Sequence, residues 1–261
     1  MNLESLVQEC FQIYLQTHNT SLPITSPSIP ILYFGDYPAY KKSETKIITV
    51  GLNPSHREFP IEDRFLRFRK AEKISKSSNL THLEIQMFLD SLNDYYKDEP
   101  YKWFGCFEPM LNGLKSSYYD NEYPNRVLHT DICSPLATDI TWSKLTDRQR
   151  ARLRYDGNKI WHSLVEILAP DYILISVARR HLNRIRFKNT AWRELNITQD
   201  KNGNLRKNPY KVSISTFSIE GKKGILVFGK AANTPFGLIS NVQKREMGKT
   251  LLNSHDFIRP R

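Results

Sequence analysis

The alternation of short apolar runs with long helical patterns constrains the fold of this chain most. Four runs are predicted to be buried strands, at residues 46–51, 127–132, 171–176 and 225–228; all but the second are mostly apolar and β-branched. A further strand at 212–217 precedes the last of these, and the turn sequence EGKKG at 220–224 separates the two. Helical spacing of apolar residues covers 3–15, 104–114 and 145–168. Strands that alternate with helices predict an α/β layer fold with a mostly parallel sheet.

The chain is long enough to form one large domain. We predict a single domain over residues 1–261, in which residues 1–30 form an N-terminal helix and a Pro- and Ser-rich connection. No apolar run is long enough to span a bilayer, and the N-terminus lacks the basic segment of a signal peptide. The 3 cysteines are widely spaced and match neither a zinc motif nor a disulfide framework. These features predict a cytoplasmic monomer that does not bind membranes.

The positive charge lies in one half of the chain. Residues 1–140 contain 14 Lys and Arg against 18 Asp and Glu, a net charge of −4, whereas residues 141–261 contain 24 against 9, a net charge of +15. A one-sided basic surface is the expected footprint of a polyanionic partner. Charge alone leaves DNA, RNA and an acidic lipid surface open, and it also fits a protein whose pI is simply high.

Polar segments follow four of the predicted strands, at residues 51–56, 129–136, 176–180 and 229–238. In open α/β sheets, the ligand crevice lies beyond the carboxyl ends of the strands. We therefore expect these segments to converge on one site.

Three of these segments resemble the uracil-DNA glycosylase superfamily. GLNPS at 51–55 resembles the GxNP signature of its mismatch-specific and single-strand-selective branches, and NTPFGL at 233–238 resembles the second catalytic loop. HTDICSPL at 129–136, followed by LTDRQ at 145–149, resembles the middle of the single-strand-selective branch. The resemblance covers roughly residues 33–252. It implies a three-layer α/β/α fold with a central, mostly parallel four-stranded sheet.

The resemblance also implies an activity, which is hydrolysis of the N-glycosidic bond of a nucleotide flipped out of DNA, without a metal or cofactor. In the first loop, Asn53 inherits the position that holds the water, and Gly51 and Leu52 border the base. An amide is a weak base, so Asn53 would position the water more than deprotonate it. Phe59 is a candidate to stack on the base or, equally, a core residue, and His56 is a candidate phosphate contact.

Asp131 departs from the family pattern, because it occupies a position where the family usually has an Asn that reads the base. A carboxylate only accepts hydrogen bonds, so it would repel O4 of uracil and suit the amino group of cytosine. We therefore predict a cytosine-derived target, such as the hydroxymethylated or glucosylated cytosine of some phage genomes, and a role in anti-phage defence. Two alternatives remain, namely uracil excision in DNA repair and an Asp131 that caps a backbone turn.

The second loop lacks the His with which many relatives stabilise the departing base. Lys230 and Asn233 are the candidates to replace it. The tip of the loop, Pro235, Phe236 and Leu238, is suited to wedge into the vacated base stack.

The basic half would hold the DNA backbone. Arg179 and Arg180 follow a strand end, and with Lys230 they are the predicted phosphate contacts. Two other classes remain open. A catalytically inactive DNA-binding module fits the missing His, and a metal-dependent nuclease would need clustered carboxylates, whereas Asp36, Asp131 and Asp139 are scattered in the sequence.

Overall fold

The computed structural model describes residues 1–97, 99–189, 191–231 and 234–254. Within that part of the chain the fold is α/β, with helices around one mostly parallel sheet of seven strands. None of the helices described there is both long enough and apolar enough to cross a membrane.

The sheet is larger than the predicted four-stranded sheet, and this expectation was wrong. Its order is β2-β3-β1-β4-β7-β6-β5. The strands are β1 Ile47–Gly51, β2 Ser116–Ser117, β3 Asn125–Asp131, β4 Tyr172–Ile175, β5 Arg193–Gln199, β6 Leu205–Ile219 and β7 Lys222–Gly229. The four predicted buried strands are β1, β3, β4 and β7, of which β1 and β7 both pair with β4 in parallel.

The additional strands differ in composition from the four that the sequence predicts. β6 extends the predicted strand at 212–217 in both directions and pairs antiparallel with β7 and β5. β5 has no fully buried residue, because polar side chains occupy most of its positions. β2 has only two residues. A strand count based on buried apolar runs therefore finds the central strands of the sheet and misses the edge strands β2 and β5.

Within the described residues, six α-helices accompany the sheet: α1 Leu3–His18, α2 Tyr37–Lys42, α3 His82–Asn93, α4 Glu108–Gly113, α5 Asp147–Leu168 and α6 Asn241–Ser254. The predicted helix at 145–168 is confirmed as α5. Its N-terminus is capped by Thr146 and Gln149, whose side chains reach each other's backbone N–H groups. The prediction for 104–114 is confirmed only in its second half, where Pro109 lies in the first turn of α4.

The described chain forms two compact units. Unit 1 comprises Met1–Pro38, Gly51–Tyr101 and Leu128–Leu168, and unit 2 comprises Ala39–Val50, Lys102–Val127 and Ala169–Arg261. In unit 1, α1 packs against α5 and α3, and in unit 2, α4 packs against α6. Most of the sheet belongs to unit 2, whereas Gly51 and residues 128–131, which end β1 and β3, belong to unit 1. The single domain over 1–261 stays a prediction.

Candidate active site

The segments that follow β1 and β3 are joined by backbone hydrogen bonds. The N–H of Ile132 donates to the carbonyl oxygen of Gly51 at 3.1 Å, and the N–H of Cys133 donates to that of Leu52 at 2.9 Å. Asn53 and Asp131 therefore belong to the same side of unit 1, as the strand-end reasoning predicts for these two segments.

Gly51 lets two polar side chains approach the end of β1. A Cβ atom at Gly51 would lie 2.5 Å from Oδ1 of Asp131 and 2.9 Å from Nε2 of His129, which no real side chain could tolerate. Asp131 is only 7% exposed, and its Oδ1 lies 3.8 Å from Nε2 of His129. A carboxylate and an imidazole thus lie side by side against the backbone that leads into Asn53.

Asn53 is oriented through its amide nitrogen. Nδ2 donates to Oγ1 of Thr138 at 2.9 Å and to the carbonyl oxygen of Pro54 at 2.9 Å. Within the part of the chain that the structure describes, no group donates to Oδ1 of this half-buried side chain. The oxygen is therefore an anchored acceptor that is available to a water molecule, which is the role predicted for Asn53.

Helix α5 contacts the segment after β3 and holds its backbone in place. A Cβ atom at Gly157 would lie 2.3 Å from the carbonyl oxygen of Cys133, so the helix touches this backbone directly. Asn158 donates from Nδ2 to the carbonyl oxygen of Ile132, and Trp161 donates from Nε1 to Oγ1 of Thr130 at 3.1 Å. Asp131 thus lies on backbone whose neighbours are held by α5, which is the kind of support that keeps a site rigid.

Glu58 is an acidic group that the sequence analysis did not identify. It ends a short 3-10 helix, His56–Glu58, five residues after Asn53, and is only 3% exposed. The Tyr95 hydroxyl donates to Oε2 of Glu58 at 2.5 Å and accepts a hydrogen bond from the Tyr101 N–H at 3.1 Å.

Burial raises the pKa of Glu58 from 4.5 to about 7, and the negative charge of Asp131 adds to the rise. The Tyr95 hydrogen bond and the positive charge of Arg67 lower the pKa, but they offset only part of the increase. A carboxyl group that changes its charge near neutral pH, beside a second carboxylate, is typical of a functional site. The signal in the sequence is a single Glu between Arg57 and Phe59, which is too weak to single out.

Aromatic rings enclose Glu58. Phe59 stacks on Phe68 with ring centroids 5.3 Å apart, and Phe68 stacks on Tyr95 at 5.5 Å. Tyr95 in turn meets Phe34 edge to face at 4.7 Å. Phe59 is fully buried, and its ring also meets Phe65 edge to face at 6.1 Å, so the structure favours the core-residue alternative over stacking on a base.

A cavity of about 510 Å³ adjoins this cluster within unit 1. It is lined by His56, Arg57, Phe59, Pro60, Ile61, Glu62, Arg64, Arg67, Tyr101 and Asp139. The predicted contacts His56 and Phe59 are both part of its wall. The three arginines were not predicted, because the charge summed over residues 1–140 conceals seven Lys and Arg against four Asp and Glu in residues 57–76.

The segments that follow β4 and β7 are joined in unit 2. The N–H of Phe236 donates to Oγ of Ser176 at 2.9 Å. Phe236 has a φ of 49° and a fully buried ring, which lies against Gly229 and meets Phe107 edge to face. Pro235 is buried as well, whereas Leu238 is 48% exposed, so only Leu238 of the three predicted wedge residues is open to solvent.

The two candidates to replace the missing His differ in what the structure shows. Lys230 is exposed, and its carbonyl oxygen accepts a hydrogen bond from the Tyr210 hydroxyl. Asn233 lies outside the described residues. A different lysine, Lys244, is 4% exposed and donates from Nζ to the carbonyl oxygens of Cys106 and Pro235, and burial lowers its pKa. Lys244 therefore anchors the second loop through the carbonyl oxygen of Pro235. No sequence pattern indicated this contact.

The predicted phosphate contacts in unit 2 are exposed. The Arg179 guanidinium donates to Oγ of Ser213 at 3.0 Å and lies 5.1 Å from the ring centroid of Phe228, and Arg180 is exposed beside it. Among the residues described, no group of three or more His, Cys, Asp or Glu side chains is arranged to hold a metal ion.

Neither a scan against protein-family models nor a search of curated proteins found a match to this chain.

Proposed function

We propose that the chain is a DNA glycosylase that hydrolyses the N-glycosidic bond of a flipped-out, cytosine-derived base and leaves an abasic site. The observation that supports this best is the pairing of an anchored amide with a carboxylate. Asn53 keeps a free acceptor oxygen within the described chain, and Asp131 lies against the same strand end, at Gly51. The GxNP-type sequence of residues 51–54 provides the link to the glycosylase superfamily and its three-layer fold.

In this proposal, Asn53 Oδ1 accepts a hydrogen bond from the attacking water and holds it in line with C1′ of the sugar. Bond cleavage passes through an oxocarbenium-like state, by analogy with the hydrolysis of other glycosides. The protein therefore has to position the water and stabilise charge, rather than supply a strong base. The orientation of Asn53 by Thr138 and Pro54 meets the first of these needs.

Asp131 would select the base. Its carboxylate accepts a hydrogen bond from the exocyclic amino group of a cytosine ring and disfavours a uracil carbonyl at the same place. Below about pH 7, Glu58 is neutral and adds no negative charge of its own near the base. A modified cytosine as the target fits a role in anti-phage defence, because removing ordinary cytosine would damage the host.

Unit 2 would hold the DNA. The exposed Arg179, Arg180 and Lys230 would contact phosphates, and the exposed Leu238 would fill the gap in the base stack. In this proposal the protein acts as a cytoplasmic monomer.

The test is excision from oligonucleotides that contain cytosine, hydroxymethylcytosine, glucosylated hydroxymethylcytosine or uracil, with and without EDTA, followed by alkali. The proposal expects alkali-sensitive sites at a modified cytosine, with EDTA making no difference. Strand breaks that EDTA abolishes would indicate a nuclease. Binding without any product would indicate a DNA-binding module that has lost its activity.

Uracil excision is the second candidate, and His129 is the observation that favours it. Its Nε2 lies 3.8 Å from Oδ1 of Asp131, so an imidazole N–H is close enough to supply the donor that uracil O4 needs. The same panel of oligonucleotides separates the two candidates, because each predicts release of a different base.

A further inference from the structure

Three arginines meet around the cavity of unit 1, and each is held there by one polar contact. Arg64 donates from NH1 to the carbonyl oxygen of Phe59 at 2.7 Å, and Arg67 donates from NH1 to that of Arg57 at 3.0 Å. The Arg57 guanidinium donates to the Tyr101 hydroxyl, and it lies 5.6 Å from the centroid of that ring. A guanidinium has five N–H donors, so each of the three retains several after these contacts.

No carboxylate within the described chain forms an ion pair with these three arginines. The neighbouring Arg69 is different, because its NH1 lies 2.6 Å from Oδ2 of Asp63. Glu62 and Asp139 also line the cavity, but both are exposed and neither pairs with an arginine. The wall thus carries three cations against two exposed carboxylates.

One of the arginines has a buried donor without a partner. Nε of Arg67 is shielded from solvent, and no acceptor within hydrogen-bonding distance was found in the described chain. A buried N–H that makes no hydrogen bond costs about 1–3 kcal/mol, so such a group calls for an explanation. An anion seated among Arg57, Arg64 and Arg67 would accept hydrogen bonds from guanidinium N–H groups that face the cavity, although the shielded Nε itself stays out of its reach.

We infer that this cavity binds a phosphate group through Arg57, Arg64 and Arg67. Arginine forks match phosphate oxygens with two parallel hydrogen bonds, and three forks around one cavity match the three or four oxygens of a phosphate ester. The volume of about 510 Å³ exceeds what a bare phosphate needs and lies in the range of small-ligand sites. Tyr101 in the wall offers a ring surface to the nucleoside that such a phosphate carries.

The phosphate has two possible sources, which are a DNA strand and a free nucleotide. A DNA strand as the source rests on the proposed function. The cavity wall begins at His56, only three residues after Asn53, so a strand whose base is held at Asn53 would pass close to the cavity. The phosphate site itself does not depend on it. Sequence-independent contacts of this kind position a nucleic acid and make its binding depend on salt.

The test compares Arg57→Gln and Arg64→Gln with the control Arg69→Gln, all in an Asn53→Ala background so that bound DNA is not consumed. Arg69 is a matched control, because it removes the same charge from the same segment but its guanidinium is paired with Asp63 and is not part of the cavity wall. Arg57 is exposed, so its variant is expected to fold even if Arg64→Gln does not. Circular dichroism and thermal unfolding check the fold of each protein.

Binding of a labelled single-stranded oligonucleotide is measured by fluorescence anisotropy between 50 and 300 mM salt, and binding of inorganic phosphate and of dCMP is measured by calorimetry. We expect each cavity variant to weaken oligonucleotide and dCMP binding about 5- to 30-fold, and to lower the slope of log affinity against log salt by about 0.7. The Arg69→Gln control should bind as its parent does.

The outcomes separate the two sources. Loss of dCMP and phosphate binding with unchanged oligonucleotide binding would support the phosphate site and assign it to a free nucleotide. Folded cavity variants that bind all three probes as their parent does would overturn the inference. If the probes bind as expected but the wild-type protein excises no base, the proposed function fails while the phosphate site stands.

Discussion

The first loop, residues 51–59, and the second loop, residues 229–238, carry the two motifs of the resemblance, yet they are built differently. The first loop presents polar atoms, since Asn53 is held by Thr138 and Pro54, and Glu58 is held by Tyr95. The second loop, where it is described, buries most of its motif residues. Pro235 and Phe236 are buried, and Ser176 and the buried Lys244 tie down its backbone.

This difference teaches that the two motifs need different tests. In the first loop, a substitution removes a polar group that is poised to meet a ligand, so the expected loss is one of activity. In the second loop, the same kind of substitution removes packing, so the expected loss is one of stability. A change in activity caused by a second-loop variant therefore has to be separated from unfolding before it says anything about DNA.

The largest effect is expected for Asn53→Ala. Removing the amide removes the acceptor for water, and misplacement of a reactant by about 1 Å already costs roughly 100-fold. We expect excision to fall by more than about 100-fold, below detection in single-turnover assays, while DNA affinity measured by anisotropy stays within about twofold.

Lys230→Ala is the matched variant in the second loop, because Lys230 is exposed and its side chain can be removed without opening the core. If Lys230→Ala abolishes excision while Asn53→Ala does not, the catalytic assignment of the first loop is wrong.

Phe236→Ala is expected to have the next largest effect. The ring is fully buried and fills the space beside Gly229, so truncation should lower the free energy of unfolding by about 3–5 kcal/mol. Leu238→Ala, at a residue 48% exposed, should change it by less than about 0.5 kcal/mol and should reduce excision from duplex DNA more than from single strands. Urea denaturation measures the first quantity. A Phe236→Ala protein of wild-type stability with impaired duplex excision would instead make Phe236 the wedge.

The centre of the sheet could be predicted from the sequence because β1, β4 and β7 are covered on both faces. Most residues of such a strand have to be apolar, apart from Thr49 in β1 and the two exposed lysines that begin β7, and this leaves a mark in the composition alone. β5 leaves no such mark, since it has no fully buried residue and exists through its pairing with β6. The predicted count of four strands follows from this difference.

Only part of the candidate site could be predicted from the sequence. Asn53 and Asp131 follow strand ends, where local reasoning applies. The pKa of Glu58 depends on Tyr95, which is 37 residues away in sequence, and on rings that only the fold assembles around it. The sequence analysis missed the arginine cavity for another reason. A net charge summed over residues 1–140 conceals the excess of basic residues within the 20 residues 57–76.

Glu58→Gln tests whether the buried carboxyl governs the pH dependence. The pKa of Glu58 is raised by folding, so the folded state binds a proton that the unfolded state has lost between pH 4.5 and about 7. The contribution of Glu58 to stability should therefore fall by about 3 kcal/mol as the pH rises through that window, and Glu58→Gln should remove this fall.

Excision should follow the same window. Above about pH 7, Glu58 ionises and adds a second negative charge near Asp131, which disfavours a departing base that is itself becoming negative. We expect kcat to decline above pH 7 in the wild type and to be flat in Glu58→Gln. Chemical denaturation from pH 4.5 to 8.5, with single-turnover excision over the same range, measures both. A decline that persists unchanged in Glu58→Gln would assign it to another group.

Asp131→Asn is expected to have the smallest effect on rate and the largest on selectivity. The amide keeps the size of the side chain and adds a donor, so it can meet O4 of uracil, which the carboxylate repels. One well-placed base contact discriminates by about 1–3 kcal/mol, so the ratio of kcat/KM for uracil over a cytosine-derived base should rise by about 5- to 150-fold. The comparison uses matched oligonucleotides that differ only in the target base.

Asp131 is nearly buried and lies against Gly51, so urea denaturation should confirm that the variant remains folded. An unchanged ratio in a folded Asp131→Asn protein would mean that Asp131 shapes the end of β1 without touching the base. Base selection would then have to be sought elsewhere in the first loop or in the second.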